Sequence, residues 1–322
     1  MKHCVYVGTV GEGMFRSVDG GQTFRRACEG MFVECHVRAL TIHPHDPKTL
    51  YLGSEQGLFV STDHADNWTR LPAPLDGMQV WSICISPVRP ELIVVGTCPS
   101  RLFRSEDGGR TWQEPKVSIV RECPRILYTR VTCVTSDPHD ANLLWVGVEI
   151  DGVYRSRDAG RTWQPVGSGL SSRDIHALVV VPRPDGSRRL LAATNNDLNI
   201  SHDDGETWQP LNIGSQLPWS YCRGMGQLVG QPDVVFLGNG DGPPGTVGVA
   251  ARSADGGEHW SVASMPAQAN STVWNYAVHA ADSRIVYAAS VSGEVYRSED
   301  GGKAWQKLQR EFGEIRALAW GP

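Results

Sequence analysis

The stretch that decides the fold is Ser105-Glu106-Asp107-Gly108-Gly109-Arg110-Thr111-Trp112, which carries the template S-x-D-x-G-x-T-W. We call each copy of this template a box. Six further boxes, some of them looser, begin at Ser17, Ser61, Ser156, Ser201, Ser253 and Ser298. The seven starting serines stand 44, 44, 51, 45, 52 and 45 residues apart. A period near 45 residues matches one four-stranded blade of a β-propeller.

Each box predicts a tight turn between two strands. The aspartate can accept hydrogen bonds from nearby backbone N–H groups, and the glycine tolerates a positive φ. The closing tryptophan can then pack back over the hairpin and bury a large apolar face. Because seven equivalent aspartates cannot all be catalytic, we interpret the boxes as a folding device.

The segments between the boxes repeat in a fixed order. Residues 37–42 are typical of an inner strand A, residues 50–53 of strand B and residues 57–61 of strand C, and each box leads into strand D. The chain begins in a strand B, and residues 314–320 form a strand A with no blade after it. We therefore predict an all-β, seven-bladed β-propeller. It would be a single domain over residues 1–322, and the C-terminal strand would close the ring and remove exposed sheet edges.

Composition narrows the functional classes. The 322 residues carry a formal net charge of -5, which gives no basic footprint for nucleic acid. No apolar run of about 18 residues and no signal-peptide pattern occur, so we expect no membrane partner and a cytoplasmic protein. The eight cysteines lack C-x-x-C spacing and are expected to be reduced. We expect neither a metal nor a cofactor.

The boxes resemble those of the Asp-box (BNR) repeat proteins. That superfamily includes sialidases, some glucan-cleaving hydrolases, sortilin-type receptors and photosystem II assembly factor-like proteins. The layout is most similar to the small seven-bladed sialidase-like and assembly factor-like members. An Arg-Ile-Pro element, which the resemblance to sialidases would imply, is absent, because Pro124-Arg125-Ile126 has the wrong order. We therefore expect a chain that is not a true sialidase, and the repeat itself says little about function.

The start of strand A marks the top of the central channel in a propeller, and the D–A and B–C loops share that face. Aligning this position across the repeats gives Arg38, Trp81, Thr132, His176, Arg223, Trp274 and Arg316. Three arginines and two tryptophans in one column predict a pocket for a small anionic molecule that bears a carboxylate. The arginines would bind the carboxylate and the tryptophans would form the walls. Glu55, Tyr221 and Asn196 are further candidate ligand-binding residues.

Two interpretations of this column stay open. In one, Arg38, Arg223 and Arg316 pair with Glu55, Glu149 or Asp241, and the ion pairs plug the channel. In the other, the pocket is open and His176 acts as a general acid or base beside Glu149, in a metal-independent hydrolase or lyase. The remaining histidines of the A–B turns are expected to be simple turn residues on the bottom face: His43, His45, His139 and His279.

Two other functional classes compete with the small-anion enzyme. A non-catalytic binding or assembly scaffold would present its top face to a protein partner. Apolar residues for such a surface are Phe32, Ile126, Leu127, Tyr128 and Trp219. A glycan hydrolase would need two facing carboxylates in an open cleft, and the strand A column contains none. Insertions at residues 114–130 and 238–250 belong to the same face and are expected to cover or carry a site.

Overall fold

The computed structural model describes residues 3–124 and 126–322, and its regular secondary structure is almost entirely short β-strands. Arg125 lies outside the described residues. We number the strands in chain order. Blades one to three contain β1 (Cys4–Thr9), β2 (Met14–Ser17), β3 (Arg25–Arg26), β4 (Ala39–His43), β5 (Asp46–Ser54), β6 (Gly57–Ser61), β7 (Thr69–Arg70), β8 (Gln79–Ile85), β9 (Ile93–Cys98) and β10 (Leu102–Ser105). A small hairpin follows, with β11 (Glu122–Cys123) and β12 (Leu127–Tyr128).

Four further blades and the closing strand complete the chain. They contain β13 (Val131–Ser136), β14 (Leu144–Val148), β15 (Gly152–Ser156), β16 (Gln164–Val166), β17 (Ile175–Pro182), β18 (Arg188–Thr194), β19 (Leu198–Ser201), β20 (Gln209–Pro210), β21 (Tyr221–Gln227), β22 (Val235–Gly240), β23 (Gly248–Ser253), β24 (Ser261–Val262), β25 (Val273–Ala277), β26 (Val286–Ser290), β27 (Val295–Ser298), β28 (Gln306–Lys307) and β29 (Ile315–Gly321). One 3₁₀ turn occupies Ile213–Ser215. In the described part of the chain, no helix has the length and apolar character needed to cross a membrane.

These strands form seven antiparallel blades, which confirms the predicted seven-bladed β-propeller. Six blades have four strands. The third differs from the prediction, because only an isolated bridge between Arg104 and Gln113 stands where its fourth strand would be. Glu114 and Pro115 follow that bridge at once, and proline has no N–H to extend the ladder. The chain leaves the blade there and enters the insertion at 114–130.

The C-terminal strand closes the ring as predicted. β29 pairs antiparallel with β1 over a register that runs from Cys4 opposite Gly321 to Thr9 opposite Ile315. Trp320 on this strand is buried and packs against His3, with ring centroids 5.2 Å apart. The two ends of the described chain therefore share one hydrophobic core with the seventh blade.

The box turns have the predicted chemistry. In the third blade, one oxygen of Asp107 accepts backbone N–H groups from Arg110 and Thr111, and the other accepts the Thr111 hydroxyl at 2.6 Å. The Ser105 hydroxyl donates to Asp107 at 2.8 Å. All seven boxes contain the same serine-to-aspartate bond. The box aspartates therefore stabilise their own turns by accepting hydrogen bonds from within them.

Apolar side chains fill the space between blades. Seven hydrophobic clusters are present in the described structure, one at each boundary between neighbouring blades. Box tryptophans such as Trp68 and Trp208 are buried in these clusters. This packing fixes the blades around the axis and so sets the positions of the inner strands.

Candidate functional site

The residues of the predicted column meet at the upper end of the central channel. All seven line one cavity of about 100 Å³, which we call the funnel: Arg38, Trp81, Thr132, His176, Arg223, Trp274 and Arg316. Asn275, which was not predicted from the sequence, lines it as well. Ligand pockets for drug-sized molecules usually measure roughly 300–1,000 Å³. The funnel therefore has room for a small group of atoms but not for a whole sugar ring.

A β-bulge explains why these side chains turn towards the axis. The ladder between β8 and β9 pairs Val80 and Ser82 with adjacent partners and skips Trp81. In the corresponding ladders of other blades, one residue is likewise left unpaired: Thr132, His176, Trp274 or Arg316. In the ladder between β21 and β22, Arg223 and Gly224 are both left unpaired. A bulge leaves one extra residue unpaired and redirects its side chain. Six of the seven column positions are thus bulge residues, and Arg38 directly precedes β4.

Arginines stack on both tryptophans of the funnel. The guanidinium carbons of Arg223 and Arg316 lie 4.1 and 4.0 Å from the ring centroid of Trp274. Arg38 lies 5.0 Å from the ring of Trp81, and Arg130 lies 4.7 Å from it. Stacking on an aromatic face partly compensates the desolvation of a guanidinium. The tryptophans therefore support the arginines instead of offering bare walls to a ligand.

The arginines of the funnel do not form the ion pairs with Glu55, Glu149 or Asp241 that would plug the channel. Glu314 hydrogen bonds to Arg316 and lies 3.8 Å from Arg38, so one carboxylate serves two arginines. In the part of the chain that the structure describes, no carboxylate forms an ion pair with Arg223. Burial lowers the pKa of Arg316 to about 10, and the attraction of Glu314 opposes this shift. The funnel keeps excess positive charge.

Two of the expected neutralising carboxylates are turned away from the funnel. Glu55 accepts the backbone N–H of His36 at 2.7 Å, and Asp241 accepts the hydroxyl of Thr246 at 2.7 Å in its own loop. Asn196 behaves in the same way and accepts the Thr194 hydroxyl at 3.0 Å. Short polar side chains in turns satisfy nearby backbone and hydroxyl groups first. None of these three lines the funnel.

His176 pairs with a residue that the sequence reasoning missed. Its Nδ1 lies 2.6 Å from the carbonyl oxygen of Cys222, so Nδ1 carries the proton and donates it. Its Nε2 lies 3.6 Å from Asp174 Oδ1. Burial and the charge of Arg223 lower the pKa of His176, so the ring is neutral near pH 7 and its Nε2 is free to accept a proton. The expected contact with Glu149 is not made.

Glu149 is held by Arg130, another residue missed from the sequence. Arg130 Nε lies 3.2 Å from Glu149 Oε2, and Arg130 Nη1 donates to Oε1 at 3.3 Å. Burial raises the pKa of Glu149; Arg130 counteracts this rise, and the charge of Asp174 adds to it. The carboxyl of Asp174 has the opposite behaviour. Burial alone would raise its pKa. The contact with His176, in the form whose Nε2 carries a proton, and the charges of Arg223 and Arg130 outweigh burial and lower it.

The missed residues share a position that could have been found. Arg130, Asp174 and Glu314 each stand two residues before a column position. Side chains two apart on a strand point to the same side. Gln79 and Tyr221 occupy the equivalent positions: Gln79 accepts the Trp81 indole N–H at 3.2 Å, and the Tyr221 ring lies 5.3 Å from His176. The site therefore has a second layer at these positions.

Among the described residues, several polar groups of the site are buried without a hydrogen-bond partner. They include Trp274 Nε1, Asn275 Nδ2 and Arg38 Nε. A buried polar group without a partner costs free energy, so such groups usually meet water or a ligand. Donors predominate among them. The funnel is thus suited to an acceptor, such as an oxygen atom with negative charge.

Several apolar side chains of the loops assigned to the top face are exposed. Leu127, Tyr128 and Ile150 are exposed, with 67%, 41% and 37% of their surface accessible, and Phe32 is exposed as well. Ile126 and Trp219 are only partly exposed. Ile150 also has φ of 73°, which is unfavourable for a β-branched residue. It directly follows Glu149, so strain and exposure coincide beside the site.

The described residues contain no group of three or more His, Cys, Asp or Glu side chains that could hold a metal ion. All eight cysteines are free thiols.

Comparison with known proteins identifies the family. The model described as DUF6242 beta propeller domain matches residues 140–314, which is more than half of the chain. The chain belongs to this family. A model described as sortilin, neurotensin receptor 3, matches residues 9–142 of the same DUF6242 propeller. The finer resemblance to the Asp-box proteins stays a prediction.

Two fungal relatives of this DUF6242 propeller are named as xyloglucanases. An oligoxyloglucan-reducing end-specific xyloglucanase of Emericella nidulans is 28% identical over 145 residues, which cover 40% of this chain and 17% of the relative. A probable enzyme of the same name in Neosartorya fischeri is 24% identical over 276 residues, 69% of this chain and 33% of the relative. The chain thus spans at most a third of the length of these curated relatives.

Solved structures share the propeller fold with this DUF6242 domain. The GH74 xyloglucanase of Xanthomonas campestris gives a TM-score of 0.68 at 19% identity and covers 99% of this chain and 52% of that one. YCF48 from Cyanidioschyzon merolae gives 0.57 at 15% identity and covers 86% and 87%. At these identities the likeness concerns the fold alone. Among the functions weighed from the sequence, the xyloglucanase relatives favour the glycan hydrolase over the small-anion enzyme.

Proposed function

We propose that this chain hydrolyses a glycosidic bond in a glycan, with its site at the upper mouth of the channel. The observation that carries this proposal is a pair of carboxyl groups whose charges act on each other: Glu149 lies 3.2 Å from Arg130, and Asp174 lies 3.6 Å from His176. Their pKa shifts are opposed. Burial raises the pKa of Glu149, whereas the contact with His176 and the charges of Arg223 and Arg130 outweigh burial at Asp174 and lower its pKa. Such a division is typical of an acid and a base that work together. The xyloglucanase relatives support the same class of reaction.

The two carboxyl groups would have distinct roles. Glu149, protonated more readily than an ordinary glutamate, would donate a proton to the oxygen of the leaving sugar. Asp174, which stays ionised, would activate a water or attack the sugar carbon, the second role that glycoside hydrolysis needs. This assignment replaces the pair expected from the sequence, in which His176 and Glu149 were the catalytic residues.

His176 would position and assist Asp174. Its Nδ1–H is fixed on the carbonyl oxygen of Cys222, which aims Nε2 at the Asp174 carboxylate, 3.6 Å away. The neutral ring can accept the proton that Asp174 removes from water. Arg223 has no carboxylate partner in the described structure and would stabilise negative charge that develops nearby.

The glycan would lie across the upper mouth, because the funnel of about 100 Å³ is too small for a sugar ring. The exposed ring of Tyr128 offers an aromatic face beside Arg130, two residues along the chain. Sugar rings present apolar C–H faces that pack on such rings. One polar substituent of the sugar could then reach the unpaired donors of the funnel.

The test is release of reducing ends from xyloglucan and from a panel of β-glucans by the purified chain. We expect Glu149→Gln and Asp174→Asn each to lower kcat by about 10²-fold or more, the range of general acid–base catalysis. Glu12→Gln is the matched control. Glu12 also lies in a B–C loop of the top face, and its carboxylate accepts one hydrogen bond among the described residues, from the backbone N–H of Gly313 at 3.5 Å. A wild-type chain that releases no reducing ends from any of these glycans would contradict the proposal.

A second candidate is the binding of a small carboxylate in the funnel. What supports it is the pair of buried donors without partners, Trp274 Nε1 and Asn275 Nδ2, beside Arg223, which forms no ion pair with a carboxylate among the described residues. Bidentate contact with an arginine suits a carboxylate. The comparisons give this candidate no support.

Its test is calorimetric titration with succinate. Arg223→Met should weaken binding well over tenfold, since truncating one partner of a buried charge contact costs roughly 2–5 kcal/mol. Arg26→Met, on the outer strand β3, is the control and should bind like the wild type. Equal succinate affinity in the two variants would remove this candidate.

A further inference from the structure

We propose that the lower mouth of the channel is a second binding site, which takes an uncharged, ring-bearing small molecule with a hydrogen-bond acceptor. A cavity of about 450 Å³ lies at the end of the channel opposite to the funnel. It lies between the inner strands of blades one, two and seven and the adjacent A–B turns. Its volume falls within the roughly 300–1,000 Å³ of typical small-molecule sites.

The walls of this lower cavity are apolar. Leu40 and Ile42 come from β4, Leu318 from β29, and Val278 follows β25. Pro44 and Pro87 contribute from the turns. No aspartate, glutamate, lysine or arginine lines the cavity in the described structure. The funnel at the other end is lined by three arginines, so the two ends of the channel select opposite kinds of ligand.

Two of the polar residues that line the cavity, His43 and His279, can supply hydrogen-bond donors. His43 Nδ1 accepts the backbone N–H of His45 at 3.3 Å, and His279 Nδ1 accepts that of Ala281 at 3.1 Å. These bonds place the ring proton of each neutral imidazole on Nε2. Within residues 3–124 and 126–322, no hydrogen bond uses the Nε2 of either ring. Each therefore has one N–H donor to offer to an acceptor.

The charge state of these rings agrees with an uncharged ligand. Burial is the main cause that lowers the pKa of both His43 and His279, so both are neutral near pH 7. The charges that act on His43 are those of Asp46, His45 and Glu91, and they are secondary to burial. A third ring, His45, is used to tie two turns together, since its Nε2 donates to the carbonyl oxygen of Pro87 at 2.9 Å. The described lining of the cavity contains no cation to bind an anion, and no carboxylate or thiolate to bind a metal ion.

The experiment uses the neutral naphthyl ketone dye prodan, which has an apolar ring system, one carbonyl acceptor and an emission that reports polarity. We expect saturable, blue-shifted emission with the wild-type chain. Val229→Trp should weaken dye binding at least about tenfold, because Val229 lines the mouth and the larger ring would fill it. Val88→Trp is the matched control. Val88 is an equally exposed valine on the same face, 47% accessible against 43%, and it does not line the cavity.

The donors are tested separately with His279→Phe, which keeps a ring and removes the N–H. Dye binding should weaken several-fold, while His139→Phe, in the corresponding turn of blade four, should change nothing. Ala280→Trp is a second filling variant in case Val229→Trp lowers the melting temperature. The proposal is overturned if the wild-type chain shows no saturable emission. It is equally overturned if both filling variants bind the dye as the wild type does.

Discussion

Replacing Arg130 with methionine tests the electrostatic design of the upper mouth. Methionine keeps the apolar stem against Trp81 and removes the cation that touches Glu149 at 3.2 and 3.3 Å. Glu149 is only 8% exposed, so its carboxylate would be left largely buried and unpaired. Breaking a buried pair from one side costs roughly 3–5 kcal/mol.

We expect the low end of that range, about 3 kcal/mol at pH 8. The Arg130 side chain is 26% exposed, so water can partly replace it. Its removal also relieves repulsion, since the positive charge of Arg130 contributes to lowering the pKa of Arg38.

The loss should depend on pH with a definite sign. The folded-state pKa of Glu149 is raised, and losing Arg130 raises it further. A carboxyl with a raised folded-state pKa destabilises the protein when ionised. Its effect is absent below the unfolded value of about 4.3 and grows as pH rises through the folded value. Most of the difference between Arg130→Met and wild type should therefore vanish near pH 4.5.

The assay is urea unfolding of both proteins at pH 4.5 and pH 8, with the slope compared to confirm that the same surface is exposed. The double variant Arg130→Met/Glu149→Gln should recover most of the stability at pH 8, because the neutral amide needs no counter-charge. An equal loss at both pH values, or no recovery in the double variant, would refute the reasoning.

Three further predictions concern the scaffold. Trp320→Ala should lower the unfolding free energy by about 3–5 kcal/mol, the usual cost for a buried tryptophan, as measured by urea titration; Trp219→Ala, on the partly exposed rim, should cost far less. Asp107→Ala should lower the melting temperature in scanning calorimetry, since the box loses four hydrogen bonds, yet leave kcat unchanged because the box lies on the opposite face. Burial raises the pKa of the Cys35 thiol to about 12, so Ellman's reagent should modify Cys35 at pH 8 only after denaturant is added.

Much of the fold follows from local sequence. The box at Ser105–Trp112 encodes a turn in which Asp107 accepts hydrogen bonds from residues two to four positions away, and its recurrence fixes the number of blades. The unmatched strand A at residues 314–320 predicts ring closure, because an unpaired strand leaves its backbone N–H and C=O groups without partners until it joins a blade. Only the third blade departs from the pattern, where Pro115 ends the ladder.

The site could be predicted only in part. Aligning the starts of the inner strands found the residues that line the funnel, although their bulged geometry is not visible in the sequence. Their partners were missed because only the column itself was aligned, whereas Arg130, Asp174 and Glu314 stand two residues before it. Glu149 pairs with Arg130, and His176 lies beside Asp174. Glu55 accepts the backbone N–H of His36 and, among the described residues, pairs with neither Arg130 nor His176.

The lower cavity was missed for a related reason. His43 and His279 are 236 positions apart in the chain, and each by itself is typical of an ordinary turn residue. Ring closure brings blades two and seven to either side of blade one, and only then do the two imidazoles share a cavity. Long-range convergence of this kind leaves no local signal.

The measurement that tests the proposed function most directly is the pH dependence of kcat/KM for reducing-end release from xyloglucan oligosaccharides. The account predicts a bell-shaped profile, with an acid limb from the lowered pKa of Asp174 and a basic limb, from Glu149, above the ordinary glutamate value of about 4.3. In Glu149→Gln the basic limb should disappear along with most of the rate. A profile whose basic limb persists in Glu149→Gln at the wild-type rate would contradict the assignment of Glu149 as the acid.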